Sequence, residues 1–299
     1  MNISDHSQKG NIMSNSRIAL YIGNELYPGG GSDPSGTTTT LQQSPLTSPI
    51  LGLLNQSAND SSILVYNDGV NPLFNTSGDY IGSSQWAGIL SKLRGGNIQE
   101  VYLSFSTNGT QYMSNLISSN NAAALKILFY IKNNLYFDGI DLDYEGGDYS
   151  PNSPIYPVAA AAVKAGLKLT AAPYNSQTAW QSWVKYVQSK QGTVSWLNLQ
   201  CYAGGKFNNP GTWLNTGAPI VAGSCNNCAS PQTTCSPTDM QNLFTLWTTG
   251  KGSVSTDCWQ GTPNTTPQAI GGGFIWVYSS IKGTQFSAYM NAVKTGLGM

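Results

Sequence analysis

Residues 137–145, Phe-Asp-Gly-Ile-Asp-Leu-Asp-Tyr-Glu, carry the densest chemistry in the chain. In a strand, alternate side chains face opposite ways. Asp141, Asp143 and Glu145 would then share one side, with Ile140, Leu142 and Tyr144 on the other. Three carboxyl groups on one face of an otherwise apolar strand do not suit an ordinary core, because burying charge is costly and neighbouring carboxylates raise each other's proton affinity. The chain has 14 Asp and Glu in 299 residues, and Asp138, Asp141, Asp143, Glu145 and Asp148 are five of them. A solvated acidic turn would not be threaded with Phe137, Ile140, Leu142 and Tyr144, and the glycine and ligand spacing of a helix-loop-helix calcium site is missing. The pattern reads as acid–base catalysis.

Other chemistries are excluded by composition. The single histidine, His6, lies in a polar leader, so the folded body has no Ser-His-Asp triad, Cys-His dyad or histidine zinc site. Charged residues make up 9% of the chain and the formal net charge is zero, which gives no footprint for nucleic acid or an anionic membrane. A neutral partner is expected, and abundant Asn, Gln, Ser, Thr and Tyr with eight Trp suit sugars. No apolar run approaches the roughly 20 residues of a membrane helix. Residues 1–16 lack the apolar centre of a secretory signal and read as a disordered leader or a cloning remnant.

Cys201, in an apolar run, reads as a buried thiol. Cys225, Cys228, Cys235 and Cys258 lie in turn-rich sequence. Two disulfides, with three connectivities open, are preferred to a four-cysteine zinc site or a redox Cys-x-x-Cys, and they favour an extracellular setting.

The elements that must position the acids alternate. Strands are predicted at 17–23, 62–66, 100–105, 137–145, 167–172, 194–202, 219–223 and 273–277. Helices are predicted at 84–93, from Ser114 to about residue 131, at 156–165, from Ser176 onward, at 237–247 and at 285–293. Residues 24–49 read as one long loop. Trp180, Trp183, Val184 and Val187 fall on one helical face and read as core rather than as a sugar platform. The helix between the sixth and seventh strands is poorly marked, around Pro210. Eight strands interleaved with helices predict a single α/β domain over 17–299, a (β/α)8 TIM barrel with long loops on its C-terminal face, without repeats or an interdomain linker.

Asp138-Gly139-Ile140-Asp141-Leu142-Asp143-Tyr144-Glu145 resembles the D-x-x-D-x-D-x-E signature of the family 18 glycoside hydrolases, the chitinases and their relatives. Tyr21-Ile22-Gly23-Asn24 is similar to the first-strand Y-x-G-x-N of the plant and fungal-type branch, with the Asn one place early. Residues 169–173 resemble the fifth strand, Gln200-Cys201-Tyr202 the sixth and residues 273–276 the eighth. Two departures bear on subsite shape and linkage preference. Ser104-Phe105-Ser106-Thr107 keeps the serine of S-x-G-G and loses both glycines, and Ala203 stands where Asp or Asn usually follows the tyrosine.

The resemblance implies a retaining, endo-acting hydrolase of β-1,4-linked N-acetylglucosamine, a chitinase, in which the substrate's own N-acetyl oxygen is the nucleophile. Glu145 would be the general acid, and Asp143 would orient the acetamido group while sharing a proton with Asp141. Tyr202 would bond the acetamido carbonyl, and Trp276 would floor the pocket, unless either is core. Tyr21 and Gln200 would join the binding surface, and Asp138 would support the strand or bind substrate. No cofactor or metal is implied; a secreted monomer acting on chitin or chitooligosaccharides is expected, on short or soluble chains in preference to crystalline chitin. An endo-β-N-acetylglucosaminidase of N-glycan cores and a non-catalytic chitinase-like sugar-binding protein remain alternatives.

Overall fold

The computed structural model describes residues 16–29, 33–67, 71–228 and 234–299. The leader predicted over 1–16 lies, except for its last residue, outside them. Ten strands follow in order: β1 (Arg17–Ile22), β2 (Ser48–Gln56), β3 (Ile63–Tyr66), β4 (Asn71–Asn75), β5 (Tyr102–Ser106), β6 (Gly139–Asp143), β7 (Lys168–Ala171), β8 (Val194–Gln200), β9 (Ile220–Cys225) and β10 (Gly272–Trp276). Parallel pairing runs from β2 through β5, β6, β7, β8 and β9 to β10, and β1 bonds both β2 and β10. The sheet therefore closes into the (β/α)8 barrel, leaving no free edge among these strands.

Three expectations are corrected. The second barrel strand is β2, which starts at the end of the supposed loop and runs beyond it, and 62–66 holds instead β3, antiparallel to β2 and paired in turn with antiparallel β4. Only residues 57–62 separate β2 from β3, too few for the crossover that parallel neighbours require. The rest of 24–49 also holds helix Pro34–Gln42, whose Thr-rich sequence disguised it; Asp33 caps it, accepting from Ser35 N at 3.0 Å. The helix expected from Ser114 is two helices, Thr107–Ser119 and Asn121–Asn133. Ser106 caps the first through Gly109 N at 3.1 Å, and Asn120 caps the second through Ala123 N at 3.2 Å. Between β8 and β9 the crossover helix shrinks to Pro210–Trp213, as its faint sequence pattern foreshadowed.

Alternation along the strands separates two cores. Ala19, Tyr21, Ile50, Tyr102, Trp196, Val221 and Phe274 pack inside the barrel. Ile140, Leu142 and Tyr144 face the surrounding helices, where Trp180, Trp183, Val184 and Val187 are buried as expected. The floor of the barrel is ionic: Glu100 lies 2.5 Å from Lys168 and 3.5 Å from Arg17, whose guanidinium stacks over Trp196.

Register sets the depth of each inward side chain. Ser104 pairs with Asp141 and Asp141 with Thr170, and one step toward the mouth Ser106 pairs with Asp143. In a parallel barrel such partners lie in one layer, so the Asp141 carboxyl meets hydroxyls from both neighbouring strands. Gly223 leaves room in the same interior, since a Cβ there would fall 2.1 Å from the Phe274 ring. Gly223→Ala should therefore destabilise the barrel by about 1–3 kcal/mol through overpacking; an unchanged urea midpoint would count against this packing.

Candidate active site

Asp141 lies fully buried beneath the barrel mouth. Its Oδ1 accepts from Thr170 Oγ1 at 2.7 Å and Asn198 Nδ2 at 3.1 Å. Its Oδ2 accepts from Ser104 Oγ at 2.7 Å and Tyr21 Oη at 2.9 Å. These donors come from β5, β7, β8 and β1, so one carboxyl group gathers strands from around the barrel. Burial raises its proton affinity, against the opposing pull of the donors from Thr170, Ser104, Tyr21 and Asn198. Tyr21 remains a phenol, its ionisation pushed far up by burial first and then by Asp141 and Asp143.

Asp143 is the next residue along β6 on the same face and keeps part of its surface open to the mouth. Burial, then the charges of Asp141 and Glu145, hold its carboxyl well above the usual range. Asp141 already accepts from four donors, and Asp143 feels its charge from the next layer toward the mouth. Gln200 Nε2 links the layers, donating to Glu145 Oε1 at 3.0 Å, to Asp143 Oδ1 at 3.4 Å and to Ala172 O at 3.0 Å.

Glu145 is exposed at the rim, just past the end of β6. Its backbone N donates to Thr107 Oγ1 at 2.8 Å, so the residue standing in place of a family glycine holds the chain that carries the acid. Tyr202 and Trp276 complete a cavity of about 280 Å³ together with Tyr21, Asp143, Glu145 and Gln200. Trp276 packs against Tyr21 with ring centroids 5.0 Å apart, and Tyr202 packs edge-on to Phe274 at 6.0 Å. Both aromatic residues therefore belong to the cavity wall as well as to the inner core.

Asp138 does not join them, and its substrate-binding assignment is corrected. It precedes β6 at the opposite end of the barrel, 2.7 Å from the Arg94 guanidinium, and accepts from Val101 N at 2.8 Å. Arg94 also donates to the Tyr136 carbonyl. Asp138 ties the entry of β6 to that of β5.

The cysteines form two disulfides, Cys225–Cys228 and Cys235–Cys258, and Cys228 rims the cavity. Cys201 is buried and free, its thiol ionisation pushed up by burial. Sequence reasoning missed Thr170, Asn198 and Thr107. Thr170 and Asn198 were within reach, because each occupies an inward position on a strand already marked. Thr107 was seen only as a lost glycine.

The closed parallel barrel is the fold of solved family 18 chitinases and chitinase-like proteins. The chain is similar to a family 18 chitinase from Pseudoalteromonas aurantia, at 16% identity over 94% of this chain and 100% of that one, with a TM-score of 0.61. It is similar to the catalytic domain of a family 18 chitinase from the fern Peteris ryukyuensis, at 16% identity over 94% and 99% of the two chains, with a TM-score of 0.58. It is also similar to a human pseudo-chitinase with retained chitooligosaccharide binding properties, at 13% identity over 95% and 100%, with a TM-score of 0.53. No protein-family model and no curated protein matches the chain by sequence.

Raised proton affinity at Asp143 has a consequence for stability. Its folded form binds a proton that the unfolded form, with a carboxyl near 3.8, has released. Stability is thus retained below the unfolded value and lost as pH rises through the folded one. Asp143→Asn should therefore be more stable than the parent at pH 7.5, by a margin that shrinks toward pH 4. Urea midpoints at the two pH values check this, and a margin that grows on acidification would contradict it.

Proposed function

We propose that the protein is a retaining, endo-acting hydrolase of β-1,4-linked N-acetylglucosamine chains, a chitinase working by substrate-assisted catalysis. The observation that carries the reading is the graded placement of Asp141, Asp143 and Glu145 along one strand, from full burial to the open rim. A protonated or proton-sharing Asp143 beside Tyr202 suits an acetamido group, which presents one N–H and one carbonyl. Trp276 offers an apolar face to the sugar ring.

In this mechanism Glu145 gives its proton to the glycosidic oxygen as the bond to the anomeric carbon breaks. The acetamido oxygen attacks that carbon and forms an oxazolinium ion, with Asp143 holding the acetamido N–H and stabilising the cation. Glu145, now a carboxylate, takes a proton from water as the water oxygen attacks the same carbon. The two displacements return the original anomeric configuration and regenerate the acid. No step calls on a cofactor. Two disulfides support secretion as the setting of this activity.

Glu145→Gln keeps the shape of the side chain and its contact with Gln200 but removes the proton donor. Turnover of the N-acetylglucosamine pentamer should fall by at least about 10²–10⁴-fold, with an unchanged circular dichroism spectrum. Equal rates for parent and variant would refute the role of Glu145. Cleavage of a glycoprotein but not of the pentamer would redirect the reading to N-glycan cores.

A further inference from the structure

The two disulfides differ in how far solvent can reach them. Cys235 and Cys258 are each 1% exposed, with Ser224 Oγ 3.6 Å from Cys235 Sγ and 3.9 Å from Cys258 Sγ. Cys228 is only partly buried, and it lines the catalytic cavity beside Asn227, Tyr202 and Trp276. Thiol exchange needs access to a disulfide sulfur, so exposure decides which bridge opens first. Here the accessible bridge borders the space that a sugar would fill.

The same bridge shapes that space. Cys225 is the last residue of β9, pairs with Trp276 of β10, and packs in the inner core with Tyr21, Tyr202 and Phe274. Asn226 is held from the other side, its Nδ2 donating to Ser280 O at 3.0 Å and its Oδ1 accepting from Tyr289 Oη at 2.6 Å. With these two residues fixed, the bond to Cys225 sets where Cys228 lies, and with it the turn that brings the exposed amide of Asn227 to the cavity. Two thiols cannot approach as closely as two bonded sulfurs, so reduction must widen the turn. The fold depends less on this bridge than on the other. Its cysteines are 3 apart in sequence against 23 for Cys235 and Cys258, and short closed loops constrain the unfolded chain least. Opening it therefore alters the cavity wall more than the barrel.

We infer that Cys225–Cys228 is a redox-modifiable part of the substrate wall: a dithiol reductant opens it, the reduced protein binds its N-acetylglucosamine chain less tightly, and a bound chain shields the bridge. This rests on the hydrolase reading for its substrate class. One thiolate of the reductant attacks Cys228 Sγ, and the S–S bond breaks with its electron pair leaving on Cys225 Sγ, which takes up a proton. The second thiol then attacks the reductant's own sulfur in the mixed disulfide, closing a cyclic disulfide and releasing Cys228 as a thiol. Both electrons and both protons gained by the cysteines come from the dithiol. The two effects are reciprocal, because a modification that weakens sugar binding is itself opposed by bound sugar.

The test is calorimetry with N-acetylglucosamine hexamer on the Glu145→Gln protein, before and after graded reduction by dithiothreitol. Alkylation and peptide mass mapping should find Cys225 and Cys228 modified first, with Cys235–Cys258 still closed. At that stage hexamer affinity should have fallen by about tenfold, the scale of one or two lost hydrogen bonds, with an unchanged circular dichroism spectrum. Saturating hexamer should slow the opening. The double variant Cys225→Ser, Cys228→Ser should bind as weakly as the reduced protein and ignore the reductant; if it fails to fold, the graded reduction decides alone. Undiminished affinity with the bridge open, a reduction rate indifferent to hexamer, or earlier opening of Cys235–Cys258 would overturn the inference and leave the hydrolase reading standing. Affinity lost on reduction, without pentamer turnover by the parent, would sink the hydrolase reading and keep the role of the bridge. No hexamer binding by the oxidised protein, together with no pentamer turnover by the parent, would end both.

Discussion

The burial of Asp141 is the constraint on which the rest of the site depends. A carboxyl group without water must be given donors, and here Tyr21, Ser104, Thr170 and Asn198 supply them from four other strands. Those bonds help to fix the relative height of the strands, alongside the backbone ladder. The charge of Asp141 is also felt by Asp143, one layer nearer the mouth. Asp143 is consequently the group whose proton affinity rises most clearly, at the one position in the stack where the carboxyl meets both the core and the cavity.

Much of this was legible because an inward-facing acid on an apolar strand has so few explanations. The spacing of Asp141, Asp143 and Glu145 identified both the strand and the end of it that matters. Barrel closure followed from alternating apolar segments. Failures arose where one-dimensional pattern is ambiguous: 48–56 and 62–66 are both apolar enough for a strand, and only the short connection between them forces the antiparallel pairing. Helix Pro34–Gln42 was hidden by threonine, a poor helix former, although Asp33-Pro34 is a strong start signal in hindsight. Asp138 shows a different limit, since membership of a motif says nothing about which end of a strand a side chain occupies. Its partner Arg94 is distant in sequence, and no local pattern announces that contact.

The mouth is built from residues that must serve two masters. Trp276 and Tyr202 pack on Tyr21 and Phe274 inside the barrel while presenting faces to the cavity. Gln200 couples Glu145 to Asp143 and to the end of β7. Thr107 anchors the backbone of Glu145 from the first turn of the helix that follows β5. The acid is thus exposed yet positioned, held by groups whose own places are set by the core. The departure from the S-x-G-G pattern is compensated chemically, because a hydroxyl replaces backbone freedom with a specific bond.

The account stands or falls on the stereochemistry of the first product. Proton NMR of pentamer hydrolysis, recorded before mutarotation, reads the anomer released by the enzyme. The β-anomer in excess at early times is expected, since the acetamido oxygen and then water approach the anomeric carbon in successive inversions. An early excess of α-anomer would mean direct attack by water, and it would contradict the roles assigned here to Asp143 and Glu145 together.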